Sequence, residues 1–284
     1  MLGSTYSLIA IGFTLVFGLL SLLNMAHGEV YMMGAFIGWY CVSALNLPFF
    51  YAVVVAIICA GVLGVLVELL CFRFVNQKYQ LASLLSTIGF GIILQNLAIK
   101  FSGGEMVRFP AIFREIDFSI GPIILSGVQV VILLTAILLM ILLNYLIMST
   151  KIGKGMRAVA QSWSTASLMG INVTFIIIFT FIISSALAGI SGILTALAYH
   201  SISPYMGVEH GLKGLAAIVL GGLGSIRGAM VGGIIIGLVE VFAIAYMPSE
   251  YTGYKNAIAF AILIGILLVK PSGIFGEKTI EERV

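Results

Sequence analysis

The chain has 284 residues, of which 61% are hydrophobic and 9% charged, with a mean hydropathy of +1.19. A soluble domain carries about 45–50% apolar and 25% charged residues, so this composition excludes one and points to an integral membrane protein. The formal net charge of +3 is small, and no long basic run suggests a nucleic-acid partner.

The apolar runs are about 20 residues long and do not alternate, which selects a helix bundle over a β-barrel, because lipid leaves no water to satisfy open backbone groups. The first helix is expected over 4–23. It has no charged segment before it and more membrane sequence directly after it, so it reads as a span and not as a cleaved signal. It ends where Asn24, His27 and Glu29 crowd between two apolar runs. A second helix is expected over 30–45, with Gly34 and Gly38 at the spacing that permits close helix contact, then a turn at Asn46-Leu47-Pro48. The third covers 49–72 and contains Glu68. Arg73 and Lys78 follow it, and the fourth covers 81–100 and carries Gln95 and Asn96.

Residues 102–126 form a long connection of mixed charge (Glu105, Arg108, Arg114, Glu115, Asp117), in which 116–120 alternates like a strand and Gly121-Pro122 ends it. A fifth helix spans 128–148. Segment 149–172 then carries Lys151, Lys154 and Arg157 with no acid, and reads as one amphipathic helix, with Met156, Val159 and Trp163 on one face and Lys154, Arg157 and Gln161 on the other. A sixth spanning helix, 173–198, is rich in Ser, Ala and Gly. Residues 199–211 form an outer segment, and 212–222, apolar apart from Lys213, is too short to span and reads as a re-entrant half-helix. Helices over 229–247, with Glu240, and 254–269 complete the chain before a charged tail.

Short loops with excess Lys and Arg stay cytoplasmic, so 149–172 lies inside, 102–126 outside and the N-terminus outside. The expected fold is an all-α polytopic membrane protein, a single transmembrane domain over 1–284 with eight or nine transmembrane helices. Nine passes put the C-terminus inside, the preferred arrangement. An echo between His27-Gly28 with Gly34 and Gly38, and Arg227-Gly228 with Gly232 and Gly237, admits an inverted repeat.

No phosphate-binding glycine loop, no zinc-protease signature and no Ser/His/Asp set is present, so catalysis is not expected, nor any cofactor or metal. Cys41, Cys59 and Cys71 sit in apolar runs and read as core fillers. An ionisable group in a span must face protein or water. Glu68 lies one turn from Arg73, which favours an ion pair over a substrate contact. Glu240 has no basic residue near it in the chain and suits a path or a structural pair equally. Asn24, His27 and Glu29 suit an interfacial turn or a path. Gln95 and Asn96 suit helix bridging better than a path, and both stay on the list of path candidates.

The opening 4–40, with Asn24-Met25-Ala26-His27-Gly28-Glu29 as its most specific piece, resembles the LivH-type permeases of branched-chain amino acid ABC transporters. So do Glu68 with Arg73, the stretch Thr87 to Asn96 (TIGFGIILQN), Gly153 to Gln161 (GKGMRAVAQ), Ser167 to Asn172 (SLMGIN) and 219–233 (VLGGLGSIRGAMVGG). The resemblance spans nearly the whole chain. It implies a membrane path for branched-chain or related amino acids in a bacterial or archaeal cell membrane. The partners implied are a second related permease, two ATP-binding subunits and an extracytoplasmic binding protein. On this reading the loop around Gly153, Lys154, Arg157, Gln161 and Gly170 couples to the ATPase, and 102–126 and 199–211 receive the binding protein. Urea or short amides remain alternative cargoes, and an ion-gradient-driven secondary transporter remains the alternative mechanism.

Overall fold

The computed structural model describes residues 1–75, 80–112, 117–120 and 123–276. Lys78, Arg114, Glu115, Ile116, Gly121, Pro122 and the charged tail after 276 lie outside the described residues. The helices are α1 (Leu2–Leu20), α2 (His27–Ser43), α3 (Phe49–Val67, prolonged by a wider turn over Glu68–Arg73), α4 (Gln80–Ser102) and α5 (Gly127–Ser149). Then come α6 (Lys151–Gln161), α7 (Trp163–Leu168), α8 (Val173–Tyr199), α9 (Met206–Gly221), α10 (Ile226–Tyr246) and α11 (Lys255–Val269). Among the described residues six helices are long and apolar enough to cross a membrane: α1, α3 with its prolongation, α4, α5, α8 and α10. The shorter α2, α9 and α11 complete a bundle of nine.

Among the described residues four short strands decorate one end. β2 (Asp117–Ile120) and β3 (Ile123–Ser126) form an antiparallel hairpin with Ile120 opposite Ile123. β1 (Val107–Arg108) pairs with β4 (Ser201–Ile202), Val107 opposite Ile202, tying the long connection to the segment after α8.

The centre of the bundle is α1, which is buried almost without interruption from Ser4 to Val16. It runs antiparallel to α8, and serine hydroxyls stitch the two together. Ser184 Oγ donates to the carbonyl of Gly12 at 2.9 Å and Ser191 Oγ to that of Thr5 at 3.0 Å. Ser7 Oγ likewise donates to Met230 O of α10 at 2.6 Å. In lipid, where apolar surface alone gives helices little reason to associate, small residues and such bonds hold them, each bond contributing about 0.6 kcal/mol on average.

The packing plan occurs twice. α1 lies along α10 as α8 lies along α3; α2 packs on α3 as α9 packs on α10; and the two sets meet through α1 with α8 and α2 with α9. Helices α1–α3 and α8–α10 are therefore one arrangement used twice, and the antiparallel α1 and α8 set the two copies in opposite directions. The echo at Arg227-Gly228 pointed to the wrong partner. In space the counterpart of α2 is α9, whose first turn holds Met206 and Gly207, and Arg227 belongs to α10, the counterpart of α3.

Among the boundaries that differ from those the pattern suggests, three shape the site and the cap. α2 starts at His27 and not at 30, because its polar first turn is buried by packing. The half-helix expected over 212–222 begins earlier, at Met206. The single basic helix over 149–172 is two, separated by Ser162, whose backbone is extended (ψ 119°) and whose hydroxyl accepts from the Thr165 amide at 3.3 Å. Serine is a favoured helix-starting residue for this reason.

After α11 the chain returns to the bundle, where the amides of Ile274 and Phe275 donate to the carbonyls of Leu220 and Gly221, both at 2.8 Å. That end also holds the last turn of α1 (Gly18, Leu19), Met156 and Arg157 of α6 and the start of α10. Residue 276 thus lies on the same face as the basic loop, as nine passes require.

Candidate functional site

Helix α1 ends at Ser21, whose left-handed backbone (φ 54°) lets its amide donate to Phe17 O at 2.7 Å. The chain then turns back into the bundle without helical structure, and the His27 amide donates to Asn24 O at 3.3 Å to start α2. The His27 ring is fully buried, 4.5 Å from the Phe13 ring, with Nδ1 3.4 Å from Ser184 Oγ. A Cβ on Gly12 would collide with that ring. Gly12 and Ser184 are mid-helix residues, so α2 begins halfway along its neighbours. Irregular backbone at that depth survives only where protein covers it. Part of the cover is α9, which also begins inside the bundle. Gly28 lies against the backbone of Gly207 and Gly211 with no room for a Cβ on Gly28 or Gly207.

Helix α4 closes this junction with one face. Thr87, Gly91 and Gln95, four residues apart, point the same way. Thr87 Oγ1 accepts from the Met25 amide at 3.2 Å, a Cβ on Gly91 would lie 3.2 Å from Glu29 Cγ, and Gln95 lines the cleft that remains. The cleft has a volume of about 190 Å³ and is otherwise walled by apolar side chains, among them Phe13, Ile88, Ile92 and Leu212. Glu29 lines it and is only 6% exposed. Among the described residues its Oε2 has no hydrogen-bond partner, nor have Asn24 Oδ1 and His27 Nε2 in the same turn. Asn96 points away: it is exposed and its Nδ2 donates to Ile92 O of its own helix at 2.8 Å.

A second polar group surrounds a cavity of about 370 Å³ on the opposite flank of α9. Lys213 Nζ donates to both oxygens of Glu240 at 3.0 Å, to Glu209 Oε1 at 3.2 Å and to the hydroxyl of Tyr6 at 3.1 Å. Tyr6 donates in turn to Glu240 Oε2 at 2.7 Å, and Lys255 Nζ lies 3.2 Å from Glu240 Oε1. Glu240, with no basic neighbour in sequence, thus has two in space. Glu68 is paired as its spacing suggested, with Arg73 Nη2 at 3.0 Å.

The family described as "Branched-chain amino acid transport system / permease component" matches residues 1–267. The high-affinity branched-chain amino acid transport system permease protein LivH of Escherichia coli is 38% identical, the alignment covering 99% of this chain and 94% of that one. BraD, its counterpart in Pseudomonas aeruginosa, is 35% identical over 99% and 94%. The ribose import permease protein RbsC of Haemophilus influenzae is 25% identical over 92% and 80%. The chain belongs to the branched-chain amino acid transport permease family. It is a multi-pass membrane protein and a transport component, not an enzyme.

In this permease the basic segment forms a cap at one end of the bundle. Lys154, Arg157 and Gln161 are exposed on α6. Gly153 and Gly155 face inward, where a Cβ on Gly153 would strike the carbonyl ends of α5 and one on Gly155 would press Ile176 at 2.9 Å. Arg157 also donates to the carbonyl of Ile147. Gly170 takes φ +79° just after α7, a conformation glycine adopts without strain. Beside it Leu168 and Met169 are 88% and 78% exposed.

Sequence reasoning missed Tyr6, Glu209, Lys213 and Lys255. The available signal was Lys213, the one charge in an apolar stretch, which needs an opposite charge within reach of its helix. Glu240 lies 27 residues away, too far for any local pattern to join them.

Proposed function

We propose that this chain is the membrane-spanning subunit of an ATP-driven importer for branched-chain or related amino acids in a bacterial or archaeal cell membrane. It works with a second related permease, two ATP-binding subunits and an extracytoplasmic binding protein. The observation that carries this reading is the cap of α6 and α7. Leu168 and Met169 are exposed in the same segment as Lys151, Lys154 and Arg157, with no acidic residue between 149 and 172. An apolar knob on a basic segment fits a groove on a soluble partner, and an amphipathic helix in a groove is a common mode of recognition. Gly153 and Gly155 let α6 seat against α5 and α8, so a push on the cap reaches the bundle. ATP binding drives transport only if the partner contacts the two bundle arrangements differently.

The path for cargo follows the α2, α4 and α9 junction, with Glu29 and Gln95 on it and Asn24 and His27 in the turn that leads into it. Glu240 serves as a brace on the other flank. The family match supports the cargo class, and the lower similarity to a ribose permease is consistent with a common frame adapted to different solutes.

The test is a paired Leu168→Glu, Met169→Glu variant expressed with its neighbouring subunits. It should insert and melt as the wild type does, yet fail to copurify with the ATP-binding subunit and lose uptake in proteoliposomes. Wild-type copurification and uptake would remove the docking reading, and uptake by the isolated chain without nucleotide would place it among gradient-driven transporters.

A further inference from the structure

We infer that the cleft beside Glu29 is the subsite where this permease holds the α-ammonium group and the aliphatic side chain of its cargo. The inference rests on the path proposed above and adds a named contact to it.

Three observations converge. The first is the state of the carboxylate: Glu29 is 6% exposed, its Oε2 has no partner, and no ion pair among the described residues includes it. Glu68 and Glu240, buried to a similar degree, each form an ion pair, Glu68 through Oε1 with its Oε2 also unpartnered, whereas Glu29 forms none among the described residues. A buried carboxylate without a partner is costly, more so in surroundings without water, and a cation from outside the chain would offset that cost. Its place on the first turn of α2 favours a negative charge there.

The second observation is the wall. Phe13, Ile88, Ile92 and Leu212 give the cleft an apolar lining, and one carboxylate with Gln95 is its polar complement. A hard metal ion needs about six to eight oxygen ligands, which this set lacks. An ammonium needs one good acceptor, and the Gln95 amide can donate to a carboxylate. A cavity of about 150 Å³ accommodates a benzene ring, so one of about 190 Å³ suits a small aliphatic amino acid. The third is access. Ile92, Val208 and Leu212 are exposed at the mouth, and Gly91 and Gly207 leave the carboxylate the space it occupies.

The experiment uses the complete importer in proteoliposomes, with Cys41, Cys59 and Cys71 replaced by Ala and Leu212→Cys as a reporter in the cleft. Labelling by a thiol reagent is followed with leucine, with 4-methylpentanoate (the same skeleton without the ammonium group) or with sodium chloride alone. Leucine should slow labelling and the other two should not. Glu29→Gln should raise the leucine concentration for half-protection about tenfold or more, the scale of a lost charge-assisted hydrogen bond. Glu29→Asp should fall between, which guards against a variant that simply fails to fold. Equal protection by leucine and 4-methylpentanoate, protection by sodium alone, or indifference to Glu29→Gln overturns the inference and leaves the path standing. No protection by leucine in a complex that still transports it removes the path as well.

Discussion

Glu240 on α10 and Glu29 on α2 are both enclosed by helices, at 1% and 6% exposure, yet their surroundings differ in kind. Tyr6, Lys213 and Lys255 reach Glu240 within 3.2 Å, whereas Glu29 has an enclosed oxygen with no partner among the described residues and a cleft in front of it. The two flank the same helix, α9, which contributes Lys213 to one and Gly207 to the other. A satisfied acid holds helices together. On the proposed path, the unsatisfied one is kept for something that comes and goes. Burial alone does not separate the two cases; the partner count does.

The comparison breaks most easily at Lys213. Replacing it with Met strands Glu240 beside the more exposed Lys255, and removing one partner of a buried pair costs about 3–5 kcal/mol. Thermal melting in detergent should fall sharply for Lys213→Met and recover substantially in Lys213→Met with Glu240→Leu. Equal loss in both would mean that the group is not a coupled unit. Next in size, Gly207→Ala places a Cβ against Glu29 and the Gly28 carbonyl, and overpacking of this kind costs about 1–3 kcal/mol. Its melting point should drop, and uptake should fall further than stability alone explains.

Glu29→Gln sharpens the contrast. Because no partner is stranded, its stability should stay within about 1 kcal/mol of wild type or rise. A loss as large as that of Lys213→Met would place Glu29 with Glu240 as a brace. Smallest of all, Asn96→Ala should change neither stability, within about 0.5 kcal/mol, nor uptake, while Gln95→Ala, one residue away, should weaken uptake. Reversed results for this pair would mean that α4 presents a different face to the cargo.

Much of the frame is legible in the sequence. Long apolar runs mark α3, α4, α5, α8 and α10, and the positive charges of 151–157 set the cap on one end. The Thr87, Gly91, Gln95 face follows from helical spacing once Glu29 is known to sit opposite. What local pattern could not supply is tertiary. Asn24 to Glu29 look like an interfacial turn because polar residues crowd there, and it takes Phe13, Ser184 and Gly207 to show that the turn is inside. The Ser162 break hides within an unbroken amphipathic periodicity, since a side-chain cap needs only one serine. Lys213 and Glu240 meet because α9 and α10 pack as a pair, which no window of adjacent residues contains.

The junction at His27 also constrains how the protein is made. Ser184, which touches the His27 ring, lies 157 residues further along, and Gly207 and Gly211, which cover Gly28, later still. While the ribosome is still producing the middle of the chain, the first turn of α2 therefore lacks its lid, with open amides and an acid facing whatever is there. Lipid would be a poor host for that turn, so the emerging N-terminal half has to be sheltered, by the insertion machinery or by water it retains, until α8 and α9 arrive. Nascent chains arrested before residue 184 should remain attached to that machinery, and chains extended past 211 should leave it.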